Sequence, residues 1–256
     1  MIKLLQIELN KILPYKSFWI LLGLYSIIIL LGFLAIKKIS VAIFEGATIL
    51  LFPENWHWIS WLASMLNIIL AFIVIMYSAN EFSFRTYRQN VIDGLNRSEL
   101  LFSKIWIVGL LALFSTLLIF ISGFIFGIIN TEAWTMSLAF EKSHFLLLHF
   151  LKTITFLSLA LLFSILIRKA AVSIILLVFY FLIEAIIRKI IGGEIVNYFP
   201  IKTLSTLIDV PFQKDVEAFM GVESADVNIW LFAGITTAYF VLFNFLSGLL
   251  LHKRSL

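Results

Sequence analysis

Six stretches of this chain are long and apolar enough to cross a bilayer as helices, and no other feature constrains the fold as tightly. A hydrocarbon core of about 30 Å requires ~20 predominantly apolar residues at helical rise. Ser17–Ile36, Asn55–Asn80, Ile105–Thr131 and Val227–His252 contain no Asp, Glu, Lys or Arg. Ser143–Ile167 is interrupted only by Lys152, and Ala170–Ile187 only by Glu184. Pro14, Pro53, Pro200 and Pro211 all fall outside these runs, as helix interiors require. Residues are 62% apolar and 13% charged, whereas a soluble domain carries roughly 45–50% and ~25%, so this chain cannot cover a water-facing surface. The absence of cysteine excludes disulfides and thiolate chemistry. The expected fold is an all-α integral membrane domain of six transmembrane helices filling residues 1–256, without internal repeats or a cleavable leader.

Six spans place both termini on one side. With the N-terminus cytoplasmic, the inside segments hold eleven basic and four acidic residues, net +7, and the other side nets −3. Basic residues beside spans set orientation, which favours N-in, C-in over a nucleic-acid role for the excess charge. Ser98 is then cytoplasmic, and Glu45 and Ser224 lie outside.

Residues 1–16 are too polar to span. Ile2, Leu5, Leu9, Ile12 and Tyr15 share one helical face, so a helix lying in the headgroup plane is expected, ending near Pro14. The alternative is a frayed polar terminus.

The loop at 80–104 carries the strongest functional signal. Thr86-Tyr87-Arg88-Gln89 has the form of a capping box, placing a helix start just after Thr86. Gly94 suits a left-handed helix stop, and Asn96-Arg97-Ser98-Glu99 starts a second helix running into the third span. Apolar Val91, Ile92 and Leu95 sit near the tip of a loop longer than a connection needs, which suggests a protein-docking surface over a self-packed loop.

Asn80-Glu81-Phe82, then Arg85 to Gly94, then Arg97 resemble the loop between the second and third spans of ABC-2-type permeases. The likeness extends over the chain: an N-terminal elbow, six spans, a short turn between the fourth and fifth, and a longer outer loop at 191–226. It implies an ABC-2 (type V exporter-like) permease architecture, in which this loop forms a coupling helix docked on a separate ATP-hydrolysing subunit. Carried over by position, Thr86–Asp93 would be that helix. Glu81, Thr86, Arg88, Gln89, Asn90, Val91, Ile92, Asp93, Gly94 and Arg97 would be the coupling residues. The resemblance further implies a second permease protomer, most simply a homodimer, in the lipids of a bacterial inner membrane. No G-x-x-x-x-G-K-[ST] loop occurs, so ATP and Mg belong to the partner, and this chain is expected to be a non-enzymatic subunit without its own cofactor.

Other constellations are weaker. Glu184 and Arg188, spaced i, i+4, can form an intramembrane ion pair, either functional or structural. Together with Phe145-x-x-x-His149 they are partly similar to intramembrane proteases of the prenyl-processing type. Ile183 stands where a second carboxylate belongs, however, and the His segment precedes the pair instead of following it. A secondary transporter is disfavoured by the lack of an inverted repeat. His57, His144, His149 and His252 show no i, i+4 pairing and no facing carboxylate cluster, so metal binding is not expected. Trp56, Trp58, Trp61, Trp134 and Trp230 read as an interfacial aromatic belt. Gly123-x-x-x-Gly127 permits close helix approach, within the protomer rather than at a dimer seam. Sparse intramembrane polar groups (Ser64, Asn67, Thr236, Thr237, Asn244, Ser247) favour an amphipathic or lipidic cargo. Phe212–Met220 is expected as a short amphipathic helix, a gate or an inert lid over the outer exit.

Overall fold

The computed structural model describes residues 2–43, 50–84, 86–92, 94–211 and 228–253, with the side chains of 2–5, 7, 36–43 and 88 outside that description. Ten α-helices and one 3-10 turn, with no strand, make up the regular structure of the described residues. Six are long and apolar enough to cross a membrane: α2 (Lys16–Ile43), α3 (Asn55–Ser83), α5 (Arg97–Asn130), α7 (His144–Ile167), α8 (Ala170–Ile191) and α10 (Ile229–Lys253). Between them lie α1 (Ile2–Ile12), α4 (Thr86–Ile92), α6 (Met136–Phe140), the 3-10 turn Glu194–Tyr198 and α9 (Pro200–Leu207). The expected helix at 212–220, together with Glu45 and Ser224, falls outside the described residues.

The spans pack around α7, the most buried of the six, which touches α3, α5, α8, α9 and α10. The outer spans α2, α8 and α10 turn Ile20, Leu31, Ile175, Leu182, Ile186, Trp230 and Phe245 outward. Such apolar exposure is costly in water and neutral in lipid, where helices associate through close packing.

That close packing is visible at Gly123 and Gly127 on α5. A Cβ at Gly123 would stand 2.9 Å from Trp56 Cζ3, and one at Gly127 would overlap the Phe52 ring. The two glycines therefore cradle aromatic rings of the same protomer. Trp56 is fully buried, stacks on Phe120 and donates its indole N–H to the Ala139 carbonyl at 2.6 Å. It is a core residue, not a member of an interfacial belt. Buried indole needs a hydrogen-bond acceptor, and α6 delivers one.

The loop between α3 and α5 folds much as its residues dictate. Gly94 has φ +99°, the Gly94 N–H donates to Val91 O at 3.2 Å, and the Leu95 N–H donates to Asn90 O at 3.0 Å. Those two bonds make the complete glycine-dependent helix stop. Asn96 and Glu99 form the reciprocal capping box, with the Asn96 N–H on Glu99 Oε2 at 2.8 Å. Thr86 differs from expectation. It is the first residue of α4, and its hydroxyl donates back to the Glu81 carbonyl at 3.2 Å, tying α4 to the end of α3.

Candidate functional site

Two constructions stand at opposite ends of the bundle, one under the loop helix α4 and one among the far ends of the spans.

Under α4, three helices bring four charges together. Glu81, near the end of α3 and 5% exposed, pairs with Lys104 of α5 at 2.5 Å and with Lys11 of α1 at 3.2 Å. Lys104 is itself only 1% exposed, and it lies over the Tyr77 ring. Lys11 also reaches Glu8 at 3.3 Å, and Glu8 accepts from the Ser103 hydroxyl at 3.0 Å. Burial would lower the Lys11 pKa, but the carboxylates of Glu81 and Glu8 outweigh it and hold the ammonium above its ordinary value. Two carboxylates and two ammonium groups thus lock α1 to α3 and α5.

This cluster revises the reading of the N-terminus. The face of α1 that carries Ile12 also buries Glu8, while Tyr15, expected on the apolar face, is exposed beyond the helix end. A charged anchor to the spans joins apolar burial in fixing α1.

The loop residues distribute over this base. Tyr87 is buried against Phe82, with ring centroids 4.9 Å apart, and the Arg168 guanidinium lies over the other partner, Phe82, at 5.1 Å. Burial pushes the Tyr87 phenol up, with Arg97 and Arg168 opposing. Val91 and Leu95 are half-buried against the protein's own core, whereas Ile92 is 71% exposed and Gln89 faces outward. Asn90 is half-buried, and Asp93 and the Arg88 side chain lie outside the described residues. Arg97 turns away from the loop to donate to the Leu251 and His252 carbonyls, both at 2.8 Å, closing the end of α10. The apolar tip of the sequence reading therefore divides: Val91 and Leu95 face inward, and Ile92 faces out.

Glu184 has a second set of partners that sequence spacing does not suggest. Arg188 Nε lies 3.9 Å from its Oε1, but the Ile201 and Lys202 N–H groups donate to its two carboxylate oxygens at 2.9 Å each. Those are the free donors in the first turn of α9, which opens with Pro200. A buried carboxylate at a helix N-terminus is stabilised by both the N–H groups and the helix dipole. Glu184 thereby fastens α9 across α8.

Beyond α9 lies a cavity of about 1160 Å³ between α3, α7, α8, α10 and the 194–210 segment. Trp61, Met65, Phe156, Phe181 and Phe232 give it apolar walls, and Ser64, Asn67, Lys152, Lys202 and Asp209 add polar groups. Asp209 also reaches His57, with Oδ1 2.9 Å from Nε2. Trp61 belongs to this wall.

Between the two ends runs a polar seam the sequence did not reveal. His149 is fully buried on α7, 2.7 Å from the Ser115 hydroxyl and 3.2 Å from those of Thr153 and Ser64. Ser115 in turn meets the Tyr25 hydroxyl, and Asn67 donates to Thr153 at 2.9 Å. Four spans share this network. Hydrogen bonds between spans are worth on the order of 0.6–2 kcal/mol each, enough to fix rotational register.

The ABC-2 family transporter protein model matches residues 4–184, from α1 through most of α8. The chain belongs to this family. No curated protein matches it significantly. It is therefore an integral membrane permease of an ABC transporter, a transport subunit that is not itself catalytic, and the family implies an ATPase partner.

Proposed function

We propose that this permease works as an ATP-driven exporter of an amphipathic cargo, coupled to a separate cytoplasmic ATPase subunit through α4 and paired with a second copy of itself. The supporting observation is the division of the loop: Tyr87, Val91 and Leu95 hold α4 on the bundle, while Ile92 stands 71% exposed at its tip. An aliphatic side chain displayed on a rigid, capped helix in water is a docking knob rather than a folding contact. ATP and Mg would bind in the partner. Motion of the docked helix would pass into α3 through the Thr86–Glu81 link and into α1 and α5 through the charge cluster. The charge asymmetry supports N-in, C-in insertion in a bacterial cytoplasmic membrane.

The test is co-purification of the ATPase with Ile92→Asp. Burying an isoleucine contributes about 1.5–3 kcal/mol, and a carboxylate in its place adds a desolvation cost, so association should weaken at least tenfold. Folded permease should stay at wild-type levels, because Ile92 supports no internal packing. Full association together with full transport by Ile92→Asp would remove the loop from the coupling role.

A further inference from the structure

The cavity beyond α9 has a chemistry of its own. Its walls are apolar over the greater part, built by Trp61, Met65, Phe156, Val178, Phe181 and Phe232. Into them projects Lys152, the one charged residue within the apolar run of α7. Among the described residues no carboxylate stands within salt-bridge distance of its ammonium, and its hydrogen bond to the Ile208 carbonyl is long, at 3.5 Å. The nearest acid of the lining, Asp209, has its carboxylate on His57 at 2.9 Å. The other acid of the lining, Glu194, is exposed on the 3-10 turn. Lys202 adds a second ammonium to the lining while its backbone N–H is used by Glu184. Asn67, also in the lining, is 2% exposed and its Oδ1 has no hydrogen-bond partner among the described residues.

An ammonium in an apolar chamber at membrane depth is costly unless an anion meets it there. Among the described residues the carboxylate that acts on this ammonium, that of Asp209, does so from beyond ion-pair distance while it binds His57. An acceptor left without a partner in the same lining matches a head group that also carries a donor. Apolar walls of this volume match a hydrocarbon or aromatic body, since ligand sites combine a mostly apolar lining with a few placed polar groups.

We infer that the cavity binds an acidic amphiphile, its carboxylate or phosphate head on Lys152 and its apolar body against Met65, Phe156, Phe181 and Phe232. This deepens the exporter reading and rests on it for its biological meaning, because it names the class of cargo. The binding itself needs no ATPase. Lys152 supplies charge neutralisation in a dry site, Asn67 orients a hydroxyl or amine of the head, and Glu184 holds α9 in place as one of the walls.

The experiment uses the full-length permease in phosphatidylcholine nanodiscs with 11-(dansylamino)undecanoic acid as the fluorescent probe. Empty nanodiscs supply the partition background. The acid should show a saturable component on the wild type. Its uncharged carboxamide analogue should bind at least tenfold more weakly. Lys152→Gln should lose the acid's advantage, binding acid and amide alike, and Lys152→Arg should retain it. Dodecyl phosphate should displace the probe, and dodecyltrimethylammonium should not. Val178→Trp, which fills the chamber without touching charge, should reduce binding of both probes and guards against a Lys152 variant that fails to fold. Equal affinity for acid and amide on the wild type, an unchanged Lys152→Gln, or displacement by the cationic amphiphile alone would each overturn the assignment. A permease that binds the acid at Lys152 yet never recruits an ATPase would refute the exporter reading and leave the site standing. One that recruits the ATPase but ignores the acid would do the reverse.

Discussion

Lys104→Met is the most demanding perturbation of the junction beneath α4. Lys104 and Glu81 are 1% and 5% exposed, and their contact is the shortest charged contact of Glu81. Methionine keeps the length and apolar stem of lysine but removes the ammonium. Glu81 is then left to Lys11 at 3.2 Å, which Glu8 shares at 3.3 Å, so two carboxylates divide one cation. Breaking a buried pair by deleting one partner costs about 3–5 kcal/mol; the remaining Lys11 favours the lower end. For a chain of this size each kcal/mol moves Tm by roughly 2–4 °C, so Lys104→Met should melt about 6–12 °C below wild type. The assay is thermal unfolding of purified permease in one detergent, alongside Glu81→Gln and the double variant. The double variant should recover much of the loss, because it removes both charges, giving a coupling of at least ~2 kcal/mol. If Lys104→Met melts within about 2 °C of wild type, or the two changes simply add, then the pair is not the lock described.

Four further outcomes follow. Gly127→Ala should destabilise the protein by about 1–3 kcal/mol through overlap with the Phe52 ring, and Phe52→Ala should restore stability in combination; failure of the rescue would locate the crowding elsewhere. Exchanging Glu184 and Arg188 should destabilise as much as Glu184→Ala, because arginine cannot accept the Ile201 and Lys202 N–H groups; a swap with wild-type stability would show that the ion pair, not the α9 cap, matters. Because Lys11 is raised above its ordinary 10.5, its contribution is complete below that value and lost as pH climbs through the higher folded one. Alkaline melting curves should therefore lose a limb above about pH 10.5 in wild type that Lys11→Gln does not show. Finally, with cysteine absent from the chain, Ser205→Cys should react with a membrane-impermeant thiol reagent on intact cells and Ser98→Cys should not; the opposite pattern inverts the topology.

What the sequence discloses is what depends on neighbours along the chain. Hydrocarbon thickness sets the six spans, the glycine requirement fixes the stop at Gly94, and the Asn96–Glu99 box starts α5 in its expected place. Gly123 and Gly127 announced close packing within the protomer, which the Trp56 and Phe52 rings provide. The missed contacts all join distant positions. Glu81 meets partners 23 and 70 residues away, and His149 meets Ser115 across 34. No periodicity encodes which face of α3 meets which face of α5. One missed element did leave a signal: Phe199-Pro200 opens α9 with proline at its first position, a helix start hidden within a segment read as outer loop. Glu184 was then paired with Arg188 because i, i+4 is visible in a sequence and a cap from another helix is not.

The two constructions share one element. Helix α3 carries Trp61, Ser64 and Asn67 in the cavity wall and Glu81 in the charge cluster, without a proline between them. From Asn67 to Glu81 the helical rise amounts to roughly 21 Å, a continuous hydrogen-bonded rod. A rod buried along its length does not absorb a displacement by bending, so its neighbours must accommodate it. At the α4 end the neighbours are tied by ion pairs across three helices. In the middle they are tied by directional bonds through Ser64 and Asn67 to His149 and Thr153 of α7. Among the described residues the cavity end offers by far the larger empty volume to yield, about 1160 Å³. A push on α4 would thus emerge as a change in the shape of the cavity, and the residues that feel it first are those beside Lys152 of α7. Weakening the middle tie tests this. Thr153→Val, which removes the acceptor of the Asn67 bond without altering the cavity lining, should leave ATPase association intact while uncoupling ATP turnover from release of the dansyl acid, and loss of both together would mean that α3 is not the transmitting element.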